Sequence, residues 1–111
     1  MKIALCQTPI LWESPAENLR NFDIIVKSII EQNSGTDIII FPEFFTVGFS
    51  MNKSVAESLD GISANWLRYK SSETGIAFLA SVPVKTEEKI FNRAIFVTPE
   101  GFEYYYDKRH L

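Results

Sequence analysis

The chain has 111 residues, enough for one small domain with a moderate hydrophobic core. Hydrophobic residues make up 46% of it and aromatic residues 14%, so the composition is too apolar for an intrinsically disordered chain. The formal net charge is -3, from 11 basic and 14 acidic residues without a basic stripe, and we therefore expect no nucleic-acid partner.

The apolar segments, the single cysteine and the binding motifs of the sequence indicate its cellular compartment and its cofactors. The N-terminal apolar run is too short for a signal sequence, and no stretch reaches the about 18 consecutive apolar residues of a membrane span. The single cysteine, Cys6, cannot form an internal disulfide, which agrees with a reducing compartment. We expect a cytoplasmic protein with no membrane partner. The sequence has no metal-ligand cluster or phosphate-binding glycine loop, so no cofactor and no metal are expected.

The first predicted elements are a strand and a helix. Residues 2–7, KIALCQ, form an apolar run typical of a buried strand. Ser14 is then a candidate N-cap, with Pro15 at the first helical position and Glu17 completing a capping box, which predicts a helix over 15–33. One face of this helix carries apolar residues at three- and four-residue spacing, namely Leu19, Phe22, Val26, Ile29 and Ile30.

The following segments complete an α/β pattern. The run DIIIF, residues 37–41, is a second strand that makes a βαβ unit with the first, and such units pair in parallel. Ser63 is a candidate cap for a second helix, in which Trp66 and Leu67 face the core and which Gly75 ends. A meander of three further strands follows, over residues 76–84, 90–98 and 102–107.

Two charged residues stand where chemistry concentrates in such folds. Glu43 follows the second strand, and Lys108 follows the fifth. In open α/β sheets, functional groups gather just beyond the carboxyl ends of strands, so the two side chains are expected within roughly 6 Å of each other. The pair is either a structural ion pair or an acid–base pair at a functional site.

Longer motifs around these two residues resemble a known family. FPEFFTVGFS and YYYDKRHL, in this order, are similar to the glutamate and lysine signatures of the nitrilase superfamily of carbon-nitrogen hydrolases. ALCQTP near the start and NRAIFVTPEGF before the lysine are also similar, so the resemblance covers essentially the whole chain. Within the superfamily the chain most resembles the omega-amidase-like branch, which acts on small amides.

The resemblance implies a fold and a chemistry. The fold is an α-β-β-α sandwich, of which residues 1–111 would be the N-terminal portion within a single domain. The chemistry is hydrolysis of an amide or nitrile by a Glu-Lys-Cys triad through a thioester-type acyl enzyme. By resemblance, Glu43 is the general base, a role suited to a desolvated carboxylate with a raised pKa, and Lys108 stabilises the oxyanion.

The family's nucleophilic cysteine follows the lysine by a few tens of residues, and this sequence has no cysteine there. Cys6 lies within the first strand run, where a free cysteine is typically a small buried hydrophobe. We therefore expect the 111-residue chain alone to be inactive, with its nucleophile supplied from beyond Leu111. A thiol enzyme that uses Cys6 is a weaker alternative, because it requires Cys6 within reach of Glu43.

The remaining signals are less specific. His110 either titrates or makes a structural hydrogen bond within the KRHL signature, and Arg109 beside it is interpreted as solvated. Residues 104–106, three tyrosines, are interpreted as sheet packing with polar tips. Phe44 and Phe45 either wall an acyl pocket or fill the core.

Two functions from different classes remain open. The first is the N-terminal part of a small-amide hydrolase with a small-molecule amide substrate. The second is a non-catalytic α/β interaction module on the same scaffold, binding a partner through a sheet edge. Residues 1–111 supply only part of the apolar surface of a four-layer sandwich, so we expect exposed sheet faces or edges. The chain should therefore self-associate, as a homo-oligomer and specifically a dimer, or bind its missing half.

Overall fold

The computed structural model describes residues 1–48, 56–58, 60–87 and 89–108. The predicted helices and strands are all confirmed, with small shifts at their ends. In chain order they are β1 (Ile3–Leu5), α1 (Pro15–Gln32), β2 (Ile38–Ile40), α2 (Ile62–Thr74), β3 (Ala77–Lys85), β4 (Ile90–Val97) and β5 (Glu103–Lys108).

The strands form one mixed sheet in the order β1-β2-β3-β4-β5. β1 pairs with β2 in parallel, as predicted, with Ile3 opposite Ile38. β2 also pairs with β3 in parallel, so α2 is the crossover of a second βαβ unit. The pairs β3–β4 and β4–β5 are antiparallel and make up the predicted meander.

Helix α1 begins where the sequence predicts, but not through the predicted capping box. Ser14 occupies the N-cap position, and its hydroxyl donates to the Trp12 carbonyl at 3.0 Å instead of accepting from the first turn. The capping-box prediction is therefore wrong. Pro15 remains as the start signal, since its fixed φ suits the first helical position and it has no N–H to satisfy.

The predicted apolar face of α1 packs on the sheet for most of its length. Leu19, Phe22 and Val26 are buried, whereas Ile30 is 40% exposed, contrary to prediction. An 18-residue helix spans about 27 Å, and a three-residue strand spans only about 10 Å. The last turns of α1 therefore extend past the strands that they were expected to cover.

Helix α2 ends where the sequence predicts, but its N-cap is a different residue from the predicted one. Gly61 is the N-cap, and Ser63 lies inside the first turn with its side chain fully buried. The prediction that Ser63 caps the helix is therefore wrong. Gly75 ends the helix in the left-handed conformation at φ 72°, as predicted for a glycine C-cap.

The core lies between the helices and one face of the sheet. Its centre is an aromatic cluster in which the rings of Phe22 and Phe41 are 5.0 Å apart and those of Phe41 and Trp66 are 5.7 Å apart. Phe45 and Phe78 complete this cluster, and both are fully buried. Because side chains alternate along a strand, the other sheet face carries a second set of residues.

We call this second surface, which bears no helix, the open face. Leu5 on β1 is 68% exposed there, and Tyr104 and Tyr106 on β5 are 61% and 65% exposed. The residues of the open face include Ile3, Leu5, Leu79, Asn92, Phe96, Tyr104, Tyr106 and Lys108. The described chain therefore supplies one helix layer and one sheet layer of the expected sandwich. Neither α1 nor α2 is long and apolar enough to cross a membrane.

Candidate active site

Glu43 lies in a tight turn just beyond β2. The turn passes through Phe44, which has a positive φ of 50°, a backbone conformation that is strained for a bulky residue. The Phe44 N–H donates to the Ser81 hydroxyl at 2.9 Å, and the Phe45 N–H donates to the Ser81 carbonyl at 3.3 Å. β3 therefore holds the backbone next to the carboxylate in its strained form.

A series of hydrogen bonds between buried polar side chains supports the same turn on its inner side. The Thr46 and Ser63 hydroxyls are 2.8 Å apart, and both side chains are fully buried. Ser63 donates its backbone N–H to Glu57 Oε1 at 2.7 Å and its hydroxyl to Glu57 Oε2. The Asn18 side chain adds a hydrogen bond to the Thr46 carbonyl at 2.6 Å. These contacts join the turn to the first turns of α1 and α2.

Lys108 and Asn92 reach Glu43 from the open face. Asn92 on β4 pairs directly with Lys108 on β5, so both side chains point to the same side of the sheet. Lys108 Nζ lies 2.6 Å from Glu43 Oε1, within the expected limit of roughly 6 Å. Asn92 Nδ2 donates to the same oxygen.

The electrostatics of this cluster differ from expectation in one respect. The hydrogen bond from Lys108 holds the pKa of Glu43 below its ordinary value; burial opposes this, and the Asn92 hydrogen bond adds to the lowering. The expected raised pKa is therefore wrong for the described residues. The Glu43 side chain is 33% exposed, so its loss of hydration is too small to outweigh a cation in direct contact.

The two oxygens of the Glu43 carboxylate are not equivalent. Both Asn92 and Lys108 bind Oε1, and no donor among the described residues contacts Oε2. The carboxylate is thus ionised and held through one oxygen, and the other oxygen can accept a proton. Chemically, the arrangement provides a base and a neighbouring cation at one site.

Cys6 does not join this cluster. It is 5% exposed, immediately after β1, and it packs in the core on the helical side of the sheet, whereas Asn92 and Lys108 lie on the open face. Burial raises the pKa of its thiol. The interpretation of Cys6 as a buried core residue agrees with this placement, and the thiol is poorly suited to nucleophilic attack.

The other candidate residues are placed as follows. Phe45 fills the aromatic core, and Phe44 is also buried. The tyrosines of residues 104–106 alternate across the sheet as predicted, with Tyr105 on the helical side beneath Arg93. Arg109 and His110 lie outside the described residues, as do the last two residues, 49 and 50, of the glutamate motif.

The sequence interpretation missed three site residues, namely Asn92, Ser81 and Glu57. Asn92 had a recognisable signal, because it is a polar residue in an apolar strand on the same face as Lys108. Ser81 and Glu57 had none, since their partners are a backbone N–H and a helix end from distant parts of the chain. Among the described residues no group of three or more metal-ligating side chains occurs.

The fold and the site together define a class, an α/β protein in which a carboxylate just beyond β2 contacts the ammonium group of Lys108, which is the last residue of β5 and does not follow that strand as expected. Comparison with known proteins identifies the class further. The carbon-nitrogen hydrolase family model matches residues 2–111, so the chain belongs to the carbon-nitrogen hydrolase family.

Individual relatives agree with this assignment. The chain is 36% identical to the omega-amidase YafV of Escherichia coli (strain K12) and 37% identical to that of Yersinia enterocolitica, each over 111 residues. Each alignment includes the whole of this chain but only 42% of the relative, so the chain spans less than half the length of either relative. Among solved structures, XC1258 from Xanthomonas campestris, a CN-hydrolase superfamily protein, matches with a TM-score of 0.88 at 37% identity, over 98% of this chain and 40% of that chain.

Proposed function

We propose that this chain carries the glutamate and lysine of the active site of a carbon-nitrogen hydrolase that cleaves small amides, as an omega-amidase does. The observation that carries the proposal is the contact of Lys108 Nζ with Glu43 Oε1 at 2.6 Å, with Oε2 left free of donors from the described residues. The similarity to omega-amidases from two bacteria supports the choice of an amide substrate.

Glu43 would be the general base. With its pKa lowered by Lys108, it is ionised at neutral pH and ready to accept a proton on Oε2. A low pKa makes it a weak base in water, so proton transfer relies on close placement of the donor. The strained turn at Phe44 and the hydrogen bonds that hold it would provide that placement.

Lys108 would be the electrostatic partner of the reaction. Its ammonium group has three N–H donors and uses one on Glu43, so further donors remain for a substrate oxygen. A fixed cation beside a carbonyl oxygen stabilises the negative charge that develops when the carbon is attacked. Lys108 would thus contact the Glu43 carboxylate and the substrate oxyanion at the same time.

The nucleophile would be a cysteine from beyond Leu111, as the family resemblance implies. Glu43 takes the thiol proton, the thiolate forms a carbon–sulfur bond with the amide carbon, and the oxyanion forms next to Lys108. Collapse breaks the carbon–nitrogen bond, and Glu43 returns the proton to the leaving ammonia. Glu43 then takes a proton from a water molecule, whose oxygen attacks the thioester carbon. Collapse breaks the carbon–sulfur bond and releases the acid, and Glu43 returns the proton to the thiolate.

The test uses the complete gene product that contains these 111 residues. Ammonia release from omega-amides of dicarboxylic acids is measured for the wild type, Glu43→Gln and Lys108→Met. We expect each substitution to lower kcat/KM by a factor of about 100 or more. Glu17→Gln and Lys27→Met, on the exposed side of α1, are matched controls with unchanged activity. A wild type that cleaves neither amides nor nitriles, or an active Glu43→Gln, would contradict the proposal.

A further inference from the structure

Asn92 is the most deeply buried polar residue in contact with Glu43. It is 2% exposed, whereas the side chain of Lys108 is 46% exposed. It is held on both sides by the sheet, with Pro83 opposite it on β3 and Lys108 opposite it on β5. Its Nδ2 donates to Glu43 Oε1, which joins the carboxylate to the middle of the sheet.

The other end of the Asn92 amide has no partner in the part of the chain that the structure describes. Its Oδ1 is buried and accepts no hydrogen bond from the described residues. A buried acceptor without a donor destabilises the folded state, and an apolar side chain of similar shape would avoid this penalty. Rotating the amide by about 180° would place Oδ1 against the Glu43 carboxylate, and this arrangement is less favourable because two acceptor oxygens would face each other. The stability of the fold alone does not account for an asparagine at position 92. The hydrogen-bond donor that Asn92 provides to Glu43 does account for it.

Asn92 and Lys108 make different kinds of contact with that oxygen. Lys108 reaches it with a long side chain that is 46% exposed, so this contact restrains the orientation of the carboxylate less than a short, buried donor does. Asn92 has only two side-chain torsions and is fixed by close packing. The rotation of the carboxylate is therefore set by the short, buried donor, and this donor directs Oε1 inward, whereas Oε2 has no donor among the described residues.

We propose that Asn92 is a positioning residue for the hydrolytic site, which holds Glu43 through Oε1 so that Oε2 is the oxygen that takes the proton. This inference rests on the proposed function where it concerns catalysis. The hydrogen bond itself does not depend on that function, and it has a readout that needs no activity. Loss of the donor removes one of the contacts that favour the ionised carboxylate, so the pKa of Glu43 should rise.

The experiment compares Asn92→Leu with the wild type in the complete gene product. Leucine has nearly the shape of asparagine and no donor. The carboxyl ¹³C signal of Glu43, assigned by its loss in Glu43→Gln, is followed through a pH titration. Ser71→Ala is the control, because Ser71 is also fully buried and its hydroxyl donates to the Ile76 carbonyl, away from Glu43. Asn92→Ala serves as a second donor-free variant if the leucine variant does not fold.

The expected result is an upward shift of the Glu43 titration in the Asn92 variant and none in Ser71→Ala. An unchanged Glu43 titration in a folded Asn92 variant, or an equal shift in Ser71→Ala, overturns the proposal. In an active wild type, kcat should fall about tenfold with KM nearly unchanged, and the acid limb of the kcat/KM profile should move up in pH. If the wild type is inactive on amides and nitriles, the proposed function fails, and the titration still decides the role of Asn92.

Discussion

At the scale of single residues, Glu43 and Glu57 are two carboxylates in opposite environments. Glu43 contacts a cation and has a lowered pKa, whereas Glu57 has a pKa raised by burial despite two hydrogen bonds from Ser63. Glu43 lies on the open face next to Lys108, and Glu57 stabilises the start of α2 from the interior. The environment of each carboxylate therefore separates a candidate base from a structural acceptor.

The lowered pKa of Glu43 predicts how stability depends on pH. Its carboxylate binds protons more weakly in the folded than in the unfolded state, so its contribution is complete above the unfolded pKa of about 4.5 and is lost as pH falls through the lower, folded pKa. The free energy of unfolding, measured by urea titration, should exceed that of Glu43→Gln by a constant amount above about pH 5.5. This difference should shrink below about pH 4.5.

Glu57 should behave in the opposite way. Its folded pKa is raised, so the stability of the wild type relative to Glu57→Gln should grow as pH falls through that raised value and level off below the unfolded pKa. A Glu43 difference that is independent of pH, or that grows in acid, would show that the contact with Lys108 does not favour the ionised carboxylate.

At the scale of elements, the first turn of α2 depends on a close contact with a residue from another segment. Glu57 accepts the Ser63 N–H and thereby satisfies one of the free donors of the helix start. The chain can bring the two together because Gly61 has no side chain. A Cβ at Gly61 would lie 2.4 Å from Glu57 Oε1 and 2.6 Å from Glu57 Cβ.

We predict that Gly61→Ala destabilises the protein by about 2 to 3 kcal/mol, since the contact is with the near part of a constrained side chain. Gly75→Ala is the comparison, with open space around the site but a φ of 72°, and it should cost about 1 kcal/mol. Chemical denaturation measures both. In a Glu57→Gly background, which removes the Cβ as well as the carboxylate, the cost of Gly61→Ala should largely disappear, and full additivity of the two changes would contradict the steric explanation.

At the scale of the whole molecule, the sheet has one covered face and one open face. The helices bury the first, and the open face exposes large apolar side chains such as Leu5, Tyr104 and Tyr106. Exposed apolar surface of this kind favours association. Among the described residues, β1 and β5 are the edge strands of the sheet, and an edge strand presents backbone groups that a second chain can pair with.

We predict that the 111-residue chain, expressed alone, self-associates through the open face. Leu5→Lys should shift it toward monomer in sedimentation velocity at micromolar concentration. Ile24→Lys is a matched control on the outer side of α1, because Ile24 is 69% exposed and Leu5 is 68% exposed. A compact wild-type monomer with cooperative thermal unfolding would instead show that these residues close their own core.

We also predict that the 111-residue chain alone does not hydrolyse small amides. Its one thiol, Cys6, is buried on the helical side of the sheet, away from Lys108 and Asn92 on the open face. Ammonia release should therefore equal the background rate. Turnover that is present in the wild-type chain and absent in Cys6→Ser would overturn both this prediction and the placement of Cys6 outside the site.

The sequence alone determined the elements of the fold, their order and the two charged residues of the candidate site. Local signals are sufficient there, because the apolar periodicity of α1, the alternation in the strands and glycine at the end of α2 act over a few residues. The meeting of Glu43 with Lys108 was also predictable, since strand ends in one sheet share an edge.

Only the tertiary structure decided which contacts surround those residues. The cap at Ser63 was mispredicted because its hydroxyl binds Thr46 and Glu57 from other segments, whereas the hydroxyl of Ser14 donates to the Trp12 carbonyl two residues earlier. The pKa of Glu43 was predicted in the wrong direction, because it depends on the balance between burial and a cation that reaches it from β5. The contact of Asn92 with Glu43 has the same origin, because a hydrogen bond between β4 and a distant turn exists only after the sheet has brought its partners together.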